Sequence, residues 1–208
     1  MTLKFEQFRA LNETGGGKSA GLYEFLEMNV VEAKKIAKAM LSNARMDFDE
    51  VYPNFEHNFM KIKHLLSKAT GAKRKDMPVV SSYQVEQFKQ DLKEHGVESH
   101  YAWQELGDLK PIQSQIYFDR VVNAEIEFGG IHHGSDQTKK TMIVSKEGYI
   151  IDGHHRWATG TLADETVKMK TLVVNMDIDH LLEYTKDWGD RMGNLRNEQV
   201  LQSDTNRL

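Results

Sequence analysis

The run Asp-Gly-His-His-Arg at residues 152–156 has the residue types of an anion-binding turn, and it directly follows a strand-like stretch. Gly153 allows a close backbone approach, and the N–H groups that open the next helix point to the same place, backed by the positive end of the helix dipole. Arg156 adds a planar fork suited to phosphate oxygens, while His154 and His155 add donors whose charge can change near neutral pH. The run predicts a site for a nucleotide or another phosphorylated molecule.

A plainer interpretation of this run also stands. It can be a polar helix start in which Asp152 is only the capping residue. Trp157, which follows, is predicted to pack as the first core residue of the helix rather than to stack on a base. We favour the ligand-binding interpretation for the run and the packing interpretation for the tryptophan.

Two adjacent histidine pairs raise the question of a metal site. They are His132 with His133, and His154 with His155. Imidazole suits zinc, but adjacent residues of an extended segment point in opposite directions, which argues against both members of a pair binding one ion. We therefore predict no dedicated metal site, and we expect Mg²⁺ to accompany nucleotide phosphates through phosphate oxygens and one or two carboxylates.

Other runs in the sequence indicate phosphate binding less strongly than residues 152–156. Residues 14–19, Thr-Gly-Gly-Gly-Lys-Ser, resemble the end of a P-loop, but Asn12 stands where the first glycine belongs and a linker between helices is favoured. The cations at residues 73–75, together with Lys68, and the pair at 139–140 are able to touch phosphates. Short charge runs in loops are usually solvated, so we expect no dedicated site at either place.

The elements that must position residues 152–156 follow from the hydrophobic pattern. A hairpin over residues 141–151 is predicted to turn at 146–148, where Gly148 can take a positive φ. After the run we expect a helix to about Leu162, a strand at 168–174 and a helix at 178–191. Upstream, apolar spacing of three and four residues predicts helices at 24–42, 54–69, 81–96 and 119–128, with a boundary in the Gly-, Pro- and Lys-containing residues 70–78.

Composition limits the class of protein. The 208 residues fit a domain of ordinary size with a helical extension. The formal net charge of −4 gives no global attraction to nucleic acid, and the absence of cysteine excludes a disulfide framework. No apolar stretch approaches the roughly 20 residues that span a bilayer, and residues 1–6 lack a signal-peptide core. We expect a soluble, cytoplasmic protein with no membrane contact.

Residues 141–158, Thr-Met-Ile-Val-Ser-Lys-Glu-Gly-Tyr-Ile-Ile-Asp-Gly-His-His-Arg-Trp-Ala, resemble the core of the ParB/sulfiredoxin superfamily. The shared pattern is strand, tight turn, strand, Gly-centred loop and helix. Residues 109–115 are similar to the Pro- and Gln-containing segment of ParB-type domains, and residues 167–176 are similar to their closing strand. The resemblance covers roughly residues 106–182 and implies an α/β (α+β) fold.

The loop residues distinguish the branches of this superfamily. Sulfiredoxins have a reactive cysteine where His154 lies, so their reductase chemistry does not extend to a chain without cysteine. ParB partition proteins have Gly-Glu-Arg-Arg, whose middle Glu-Arg is replaced here by His154 and His155. The free serine kinases have Asp-Gly-His-His-Arg, which residues 152–156 match residue for residue. This match implies that Gly153, His154, His155 and Arg156 hold an ATP or ADP phosphate.

A catalytic carboxylate of the kinase branch is missing here. It belongs in the segment before the hairpin, where this chain has Gln113 and Gln115, and an amide cannot act as a general base. We therefore expect Asp152 and His154 to be the catalytic residues. Glu125 and Glu127 are outside candidates for the missing carboxylate.

Together these observations predict a helical region at residues 1–75, a ParB/sulfiredoxin-like nucleotide-binding domain at 76–191 and a polar tail at 192–208. The expected function is a phosphotransferase that uses ATP or ADP, with CTP as the alternative nucleotide, and acts with Mg²⁺ on a hydroxyl-bearing substrate. One rival is a ParB-like DNA-associated protein, nucleotide-gated or nuclease-like, although no basic recognition helix is evident. Another is a catalytically silent binding module, which Gln113 supports.

Overall fold

The computed structural model describes residues 23–72, 77–78 and 80–194. The strands are β1 Ser99–Glu105, β2 Lys110–Pro111, β3 Met142–Ser145, β4 Tyr149–Asp152 and β5 Lys168–Val174. The helices are α1 Val30–Asn43, α2 Phe48–Val51, α3 Phe55–Ser67, α4 Val85–Glu94, α5 Phe118–Phe128, α6 Asp136–Lys139, α7 His154–Ala163 and α8 Ile178–Arg191. None of these described helices is long and apolar enough to cross a membrane.

The five strands form one mixed sheet in the order β1-β5-β3-β4-β2. The pairs β1/β5 and β3/β4 are antiparallel, whereas β3/β5 and β2/β4 are parallel. The expected mixed α/β class is therefore confirmed. The sheet brings the short β2 and the end of β4 together at one edge, which is where the predicted ligand loop begins.

Alternation along the central strands builds a core on each face of the sheet. Met142 and Val144 belong to one apolar cluster, while Ile143 between them belongs to the other. This is the two-residue period of a strand buried on both sides. The first face is covered by α1, α3, α5 and α7, and the second by α4 and α8. The loop after β4 leads into α7, which belongs to the layer on the first face.

The predicted hairpin is confirmed. It connects β3 to β4, and Gly148 has a φ of +82°, which a side chain would strain. The strand at Lys168–Val174 and the helix at Ile178–Arg191 also have the predicted bounds. The hairpin leads directly into the loop at residues 152–156.

Local capping explains where several helices begin. The Asn29 side chain accepts a hydrogen bond from the Glu32 N–H at 2.9 Å, so α1 begins at Val30 rather than at residue 24. Residues 25–27 form a separate 3₁₀ turn before it. Ser81 and Gln84 form a capping box before α4, and Asp177 caps α8.

Strand β1 was not predicted from the sequence. It lies at the edge of the sheet and pairs on one side with β5 over all seven of its residues. Its residues are partly exposed on both faces, and Trp103 is 56% exposed. A strand of this kind has no apolar alternation, so the hydrophobic pattern did not reveal it.

The helices before residue 72 share one apolar core with the first face of the sheet. Phe25 stacks on Phe59 of α3 at 4.7 Å between ring centroids and meets Phe118 of α5 edge-on at 5.5 Å. The Phe25 N–H donates to the Ile116 carbonyl at 2.8 Å, and the Phe118 N–H donates to the Tyr23 carbonyl at 2.7 Å. The N-terminal helical region is thus packed against the α/β part by both side chains and backbone.

Several sequence predictions lie outside the described residues. They are the P-loop-like residues 14–19, the basic residues 73–75 with the proposed boundary at 75/76, and the tail beyond residue 194.

Candidate functional site

The loop at residues 152–156 is a one-residue connection from strand to helix. Strand β4 ends at Asp152, Gly153 has a φ of +107°, and α7 begins at His154. The first bond of the helix runs from the Trp157 N–H to the Gly153 carbonyl at 2.9 Å. The N–H groups of the first helical turn precede this ladder and have no carbonyl within the helix to bond. The turn therefore presents the positive end of α7 at the edge of the sheet.

Gly153 is required by packing as well as by its dihedral angle. A Cβ atom at this position would lie 2.9 Å from Cγ of Met142 on β3 and 3.3 Å from Nη2 of Arg156. Both distances are shorter than an ordinary van der Waals contact. The glycine thus lets the start of α7 pack directly against the neighbouring strand.

A cleft of about 260 Å³ opens beside this turn. All five residues of the predicted run line it, so the structure brings Asp152, Gly153, His154, His155 and Arg156 together as expected. The remaining lining residues are Ile151, Gln113, Met77 and Pro78. Met77 and Pro78 were missed because they come from the segment predicted as a domain boundary. The described start of that segment is bonded to the residues after β2, since the Ala72 N–H donates to the Ile112 carbonyl at 3.3 Å.

His154 is a buried link between the loop and the segment before the hairpin. Its Nε2 atom accepts hydrogen bonds from the N–H groups of Ile112 at 3.2 Å and Gln113 at 3.3 Å. Burial lowers the pKa of His154 to about 3. The expectation that its charge changes near neutral pH is therefore wrong for this residue, because a charged imidazole would be desolvated and could not accept these bonds.

Asp152 and Arg156 form a loose pair in the wall of the cleft. Oδ2 of Asp152 lies 3.7 Å from Nη2 of Arg156, and both side chains are partly buried. Burial raises the pKa of Asp152, while the Arg156 charge and the Gly153 N–H oppose the rise. Burial lowers the pKa of Arg156, and the negative charge of Asp152 opposes this decrease. An arginine stays charged in proteins, so the cleft holds one permanent cation beside one carboxylate with a raised pKa.

The Arg156 guanidinium is oriented by backbone carbonyls. Nη1 donates to the Lys140 carbonyl at 2.7 Å, and Nη2 donates to the Thr141 carbonyl at 3.3 Å. A guanidinium has five N–H groups, so the two bonds fix its plane and leave others for a ligand. The side chains of the neighbouring cations have partners of their own: Lys139 pairs with Asp136 at 2.8 Å, and Nζ of Lys140 lies 5.5 Å from the centre of the Phe128 ring.

The two glutamines of the segment before the hairpin have different partners. Gln113 lines the cleft, and its amide donates to the Gln115 carbonyl at 2.5 Å. The Gln115 amide donates to Oε1 of Glu24 at 2.9 Å and to the Tyr117 hydroxyl at 3.1 Å. Glu24 was missed because it belongs to the N-terminal helical region, 91 residues away in sequence.

The outside candidates for a catalytic carboxylate do not line this cleft. Glu125 is buried and lines a different cavity, next to residues 129–132. Glu127 is exposed and accepts a hydrogen bond from the Asn123 amide at 2.9 Å. Among the described residues that line the cleft, Asp152 is the only carboxylate.

The two histidine pairs have separate surroundings. His133 lies 3.6 Å from the Asp164 carboxylate, and His132 lines the other cavity with Glu125. Within the described part of the chain, no group of three or more His, Asp or Glu side chains is placed to hold a metal ion. The zinc interpretation therefore gains no support from the geometry.

Trp157 packs as predicted. Its side chain is fully buried in the first apolar cluster, and its indole N–H donates to the Leu106 carbonyl at 3.0 Å. The bond satisfies the one polar atom of the ring. Trp157 therefore anchors α7 and is not available to stack on a base.

Comparisons of the chain with known protein families, with curated proteins and with solved structures gave no match.

Proposed function

We propose that this protein binds a nucleotide through its phosphate groups in the cleft at Asp152–Arg156, and that it transfers a phosphoryl group to a hydroxyl-bearing substrate. The observation that carries the proposal is the cleft itself. It combines a helix N-terminus, a fixed guanidinium and a carboxylate with a raised pKa in one wall. ATP or ADP is the expected donor, with CTP as the alternative.

The size of the cleft fits the phosphate end of such a ligand. Pockets for whole drug-sized ligands have volumes of about 300–1,000 Å³, whereas this cleft has about 260 Å³. The phosphates would lie against the first turn of α7 and the side chain of Arg156. The nucleoside would extend outside the cleft, past Met77 and Pro78.

The succession of β3, tight turn, β4, glycine loop and α7 is the pattern on which the resemblance to the ParB/sulfiredoxin superfamily rests. The two-stranded parallel contact of β2 with β4 places residues 112–113 against the loop, where their N–H groups bond His154. We propose a ParB/sulfiredoxin-like domain on this basis. The match of residues 152–156 supports its kinase branch.

The residues of the cleft have different roles in the proposed phosphoryl transfer. The acceptor oxygen forms a bond to the terminal phosphorus as the bond to the bridging oxygen breaks, and Asp152 takes the hydroxyl proton. Arg156 and the N–H groups of α7 offset the negative charge of the phosphates. His154 acts by position, because its Nε2 holds the neighbouring segment in place.

A magnesium ion fits this donor set. Magnesium is held by one or two carboxylates together with substrate phosphates, and Asp152 supplies a carboxylate in the cleft wall. Held there with the nucleotide, the ion would offset the negative charge of the phosphates.

A binding experiment tests the first half of the proposal. Titration calorimetry with ATP, ADP and CTP, with and without Mg²⁺, is expected to show binding to the parent protein. Arg156→Lys keeps the charge but loses the planar fork, so affinity should fall by about 1.5–3 kcal/mol, the worth of a hydrogen bond between charged groups. Lys168→Ala is the control, since Lys168 pairs with Glu105 outside the cleft.

Equal affinities in the Arg156→Lys variant and the parent would place the nucleotide elsewhere. Failure of all three nucleotides to bind would remove the proposal. Because Arg156 also orients residues 140–141, the fold of the variant must be checked by circular dichroism.

The second candidate is a phosphate-binding module without transfer. It is favoured by Gln113, whose amide lies in the cleft wall where a general base would be needed and is committed to the Gln115 carbonyl. Binding without any transfer or hydrolysis, over a range of hydroxyl-bearing acceptors, would select this candidate.

A further inference from the structure

A second cavity, of about 610 Å³, lies at the opposite end of α7 from the phosphate cleft. Ala163 and Asp164, at the end of that helix, form part of its wall. The helix rises about 1.5 Å per residue, so its ten residues separate the two sites by about 15 Å. The cavity is therefore distinct from the site proposed for phosphate groups.

The electrostatics of this cavity favour a cation. Asp47, Glu50 and Asp164 line it together with the buried Glu125, and the basic side chains in its wall are Arg45 and His132. Asp47 also caps α2 through the N–H groups of residues 49 and 50. The C-terminal ends of α5 and α7 both reach its wall, and each carries the negative end of a helix dipole. Three of the carboxylates belong to partly or fully exposed residues, so they form a rim.

Glu125 provides an independent sign of a ligand, because it is only 4% exposed and is incompletely paired. Its Oε2 accepts a hydrogen bond from the Ile131 N–H at 3.3 Å, and within the described part of the chain Oε1 has no hydrogen-bond donor. The Tyr52 hydroxyl is also buried and, among the described residues, lacks a hydrogen-bond partner. A buried carboxylate with one unpaired oxygen is costly unless a positive group compensates it.

We infer that this cavity binds a small organic cation, a primary ammonium on a short aliphatic chain, with the ammonium on Oε1 of Glu125. Met46, Val51, Pro53 and Ile131 supply apolar wall for the chain. A metal ion is disfavoured because the described residues contain no group of three ligands placed to hold one. The second ammonium of a diamine would reach the rim carboxylates.

The probe is 1,4-diaminobutane, titrated into the full-length protein at pH 8 by calorimetry. The neutral analogue 1,4-butanediol should not bind, because it lacks the charge that Glu125 requires. Glu125→Gln keeps the shape and the acceptor for Ile131 but removes the charge, and should weaken diamine binding by about 10- to 100-fold. Glu127→Gln is the matched control on the same helix, exposed and outside the cavity, and should bind like the parent.

Protonation gives a second readout. Burial raises the pKa of Glu125 to about 7, opposed by the Ile131 N–H and by His132. A bound ammonium would favour the carboxylate, so binding near pH 7 should release protons, seen as a buffer-dependent enthalpy in the parent and not in Glu125→Gln.

Failure of the diamine to bind, equal binding by Glu125→Gln or equal binding of butanediol would each overturn the inference. Nucleotide binding in Glu125→Gln should equal that of the parent, which keeps the two sites experimentally separate.

Discussion

At the scale of single residues, the structure assigns different roles to neighbouring members of the same loop. His154 is buried and neutral, with its Nε2 committed to two backbone N–H groups. Asp152 is partly exposed in the cleft and has a raised pKa. Of the two residues expected to be catalytic, Asp152 is thus accessible from the cleft, whereas the His154 ring is buried and bonded to the backbone of residues 112 and 113.

The role of Asp152 is tested by Asp152→Asn, which keeps the size of the side chain and removes its charge. If the protein transfers phosphate, turnover should fall by roughly 10²–10⁴-fold, the usual contribution of general acid–base catalysis. The affinity for the nucleotide without Mg²⁺ should change little, since Arg156 and α7 still hold the phosphates. Steady-state kinetics measures the turnover of the variant and the parent, and calorimetry measures their nucleotide affinities. Unchanged turnover would exclude Asp152 from the chemistry.

The role of His154 is tested by unfolding His154→Ala in urea. The variant leaves the N–H groups of Ile112 and Gln113 without their acceptor, which costs about 1–3 kcal/mol for a buried donor. Because the folded pKa is about 3 against an ordinary 6.5, this stabilisation is present above pH 6.5 and is lost as the pH falls toward 3. The stability difference between variant and parent should therefore be smaller at pH 5 than at pH 7.5.

His100→Ala is the control for that experiment, since His100 is exposed on the edge strand β1. It should follow the parent at both pH values. A difference that grows on acidification in His154→Ala would contradict the assignment of a neutral, buried imidazole.

At the scale of elements, the position of α7 decides the geometry of both sites. Its first turn lines the cleft at residues 152–156, and its last residues line the cavity that contains Glu125. Between them the helix is buried on nearly every side, since Trp157, Ala158, Thr159, Gly160, Thr161, Leu162 and Ala163 are all buried. A helix so enclosed can be positioned only by close packing with its neighbours.

Gly160 tests this packing. A Cβ atom there would lie 2.4 Å from Cδ1 of the fully buried Leu106 and 3.1 Å from Cγ2 of Ile131. Gly160→Ala should therefore destabilise the protein by about 1–3 kcal/mol through overpacking, despite the higher helix propensity of alanine. Gly189→Ala on α8 meets its nearest atom at 3.8 Å and should instead stabilise by about 0.5–1 kcal/mol.

Thermal or urea unfolding of the two alanine variants gives the comparison directly. Equal effects of the two substitutions would show that α7 can shift to relieve the contact with Leu106.

At the scale of the whole molecule, the helical region before residue 72 and the α/β part share an apolar core. Phe25, from the first described turn, lies fully buried between Phe59 and Phe118. The sheet separates this core from a second one, in which Trp188 packs on Phe88 at 5.1 Å. The shared core predicts that the described parts unfold together rather than as two units.

Phe25→Ala tests that cooperativity. Removing a buried phenylalanine should lower the free energy of unfolding by about 3–5 kcal/mol. The unfolding midpoints followed by circular dichroism, which reports the helices, and by the fluorescence of Trp103, Trp157 and Trp188 should shift by the same amount. Val31→Ala is the control on α1, because Val31 is 77% exposed and should change stability by less than about 0.5 kcal/mol.

Two separate transitions in Phe25→Ala, with the fluorescence midpoint unchanged, would show instead that the helical region unfolds on its own.

The sequence by itself determined the local features, because these depend on residues close together in the chain. The hairpin at Gly148, the helix after Gly153 and the bounds of β5 and α8 follow from turn residues and apolar spacing within one element. The five loop residues lie together in the cleft for the same reason, since they are consecutive. The packing of Trp157 was predicted from its place at the start of a helix.

Only the tertiary structure decided which distant residues surround these features. Met77, Pro78 and Glu24 reach the site region through contacts between distant parts of the chain, and no local pattern encodes that approach. The edge strand β1 lacked a pattern because neither of its faces is fully buried. The pKa values of His154 and Glu125 depend on their burial, and the partners of His154 lie 41 and 42 residues away in the chain; both are set by how the helices pack against the sheet.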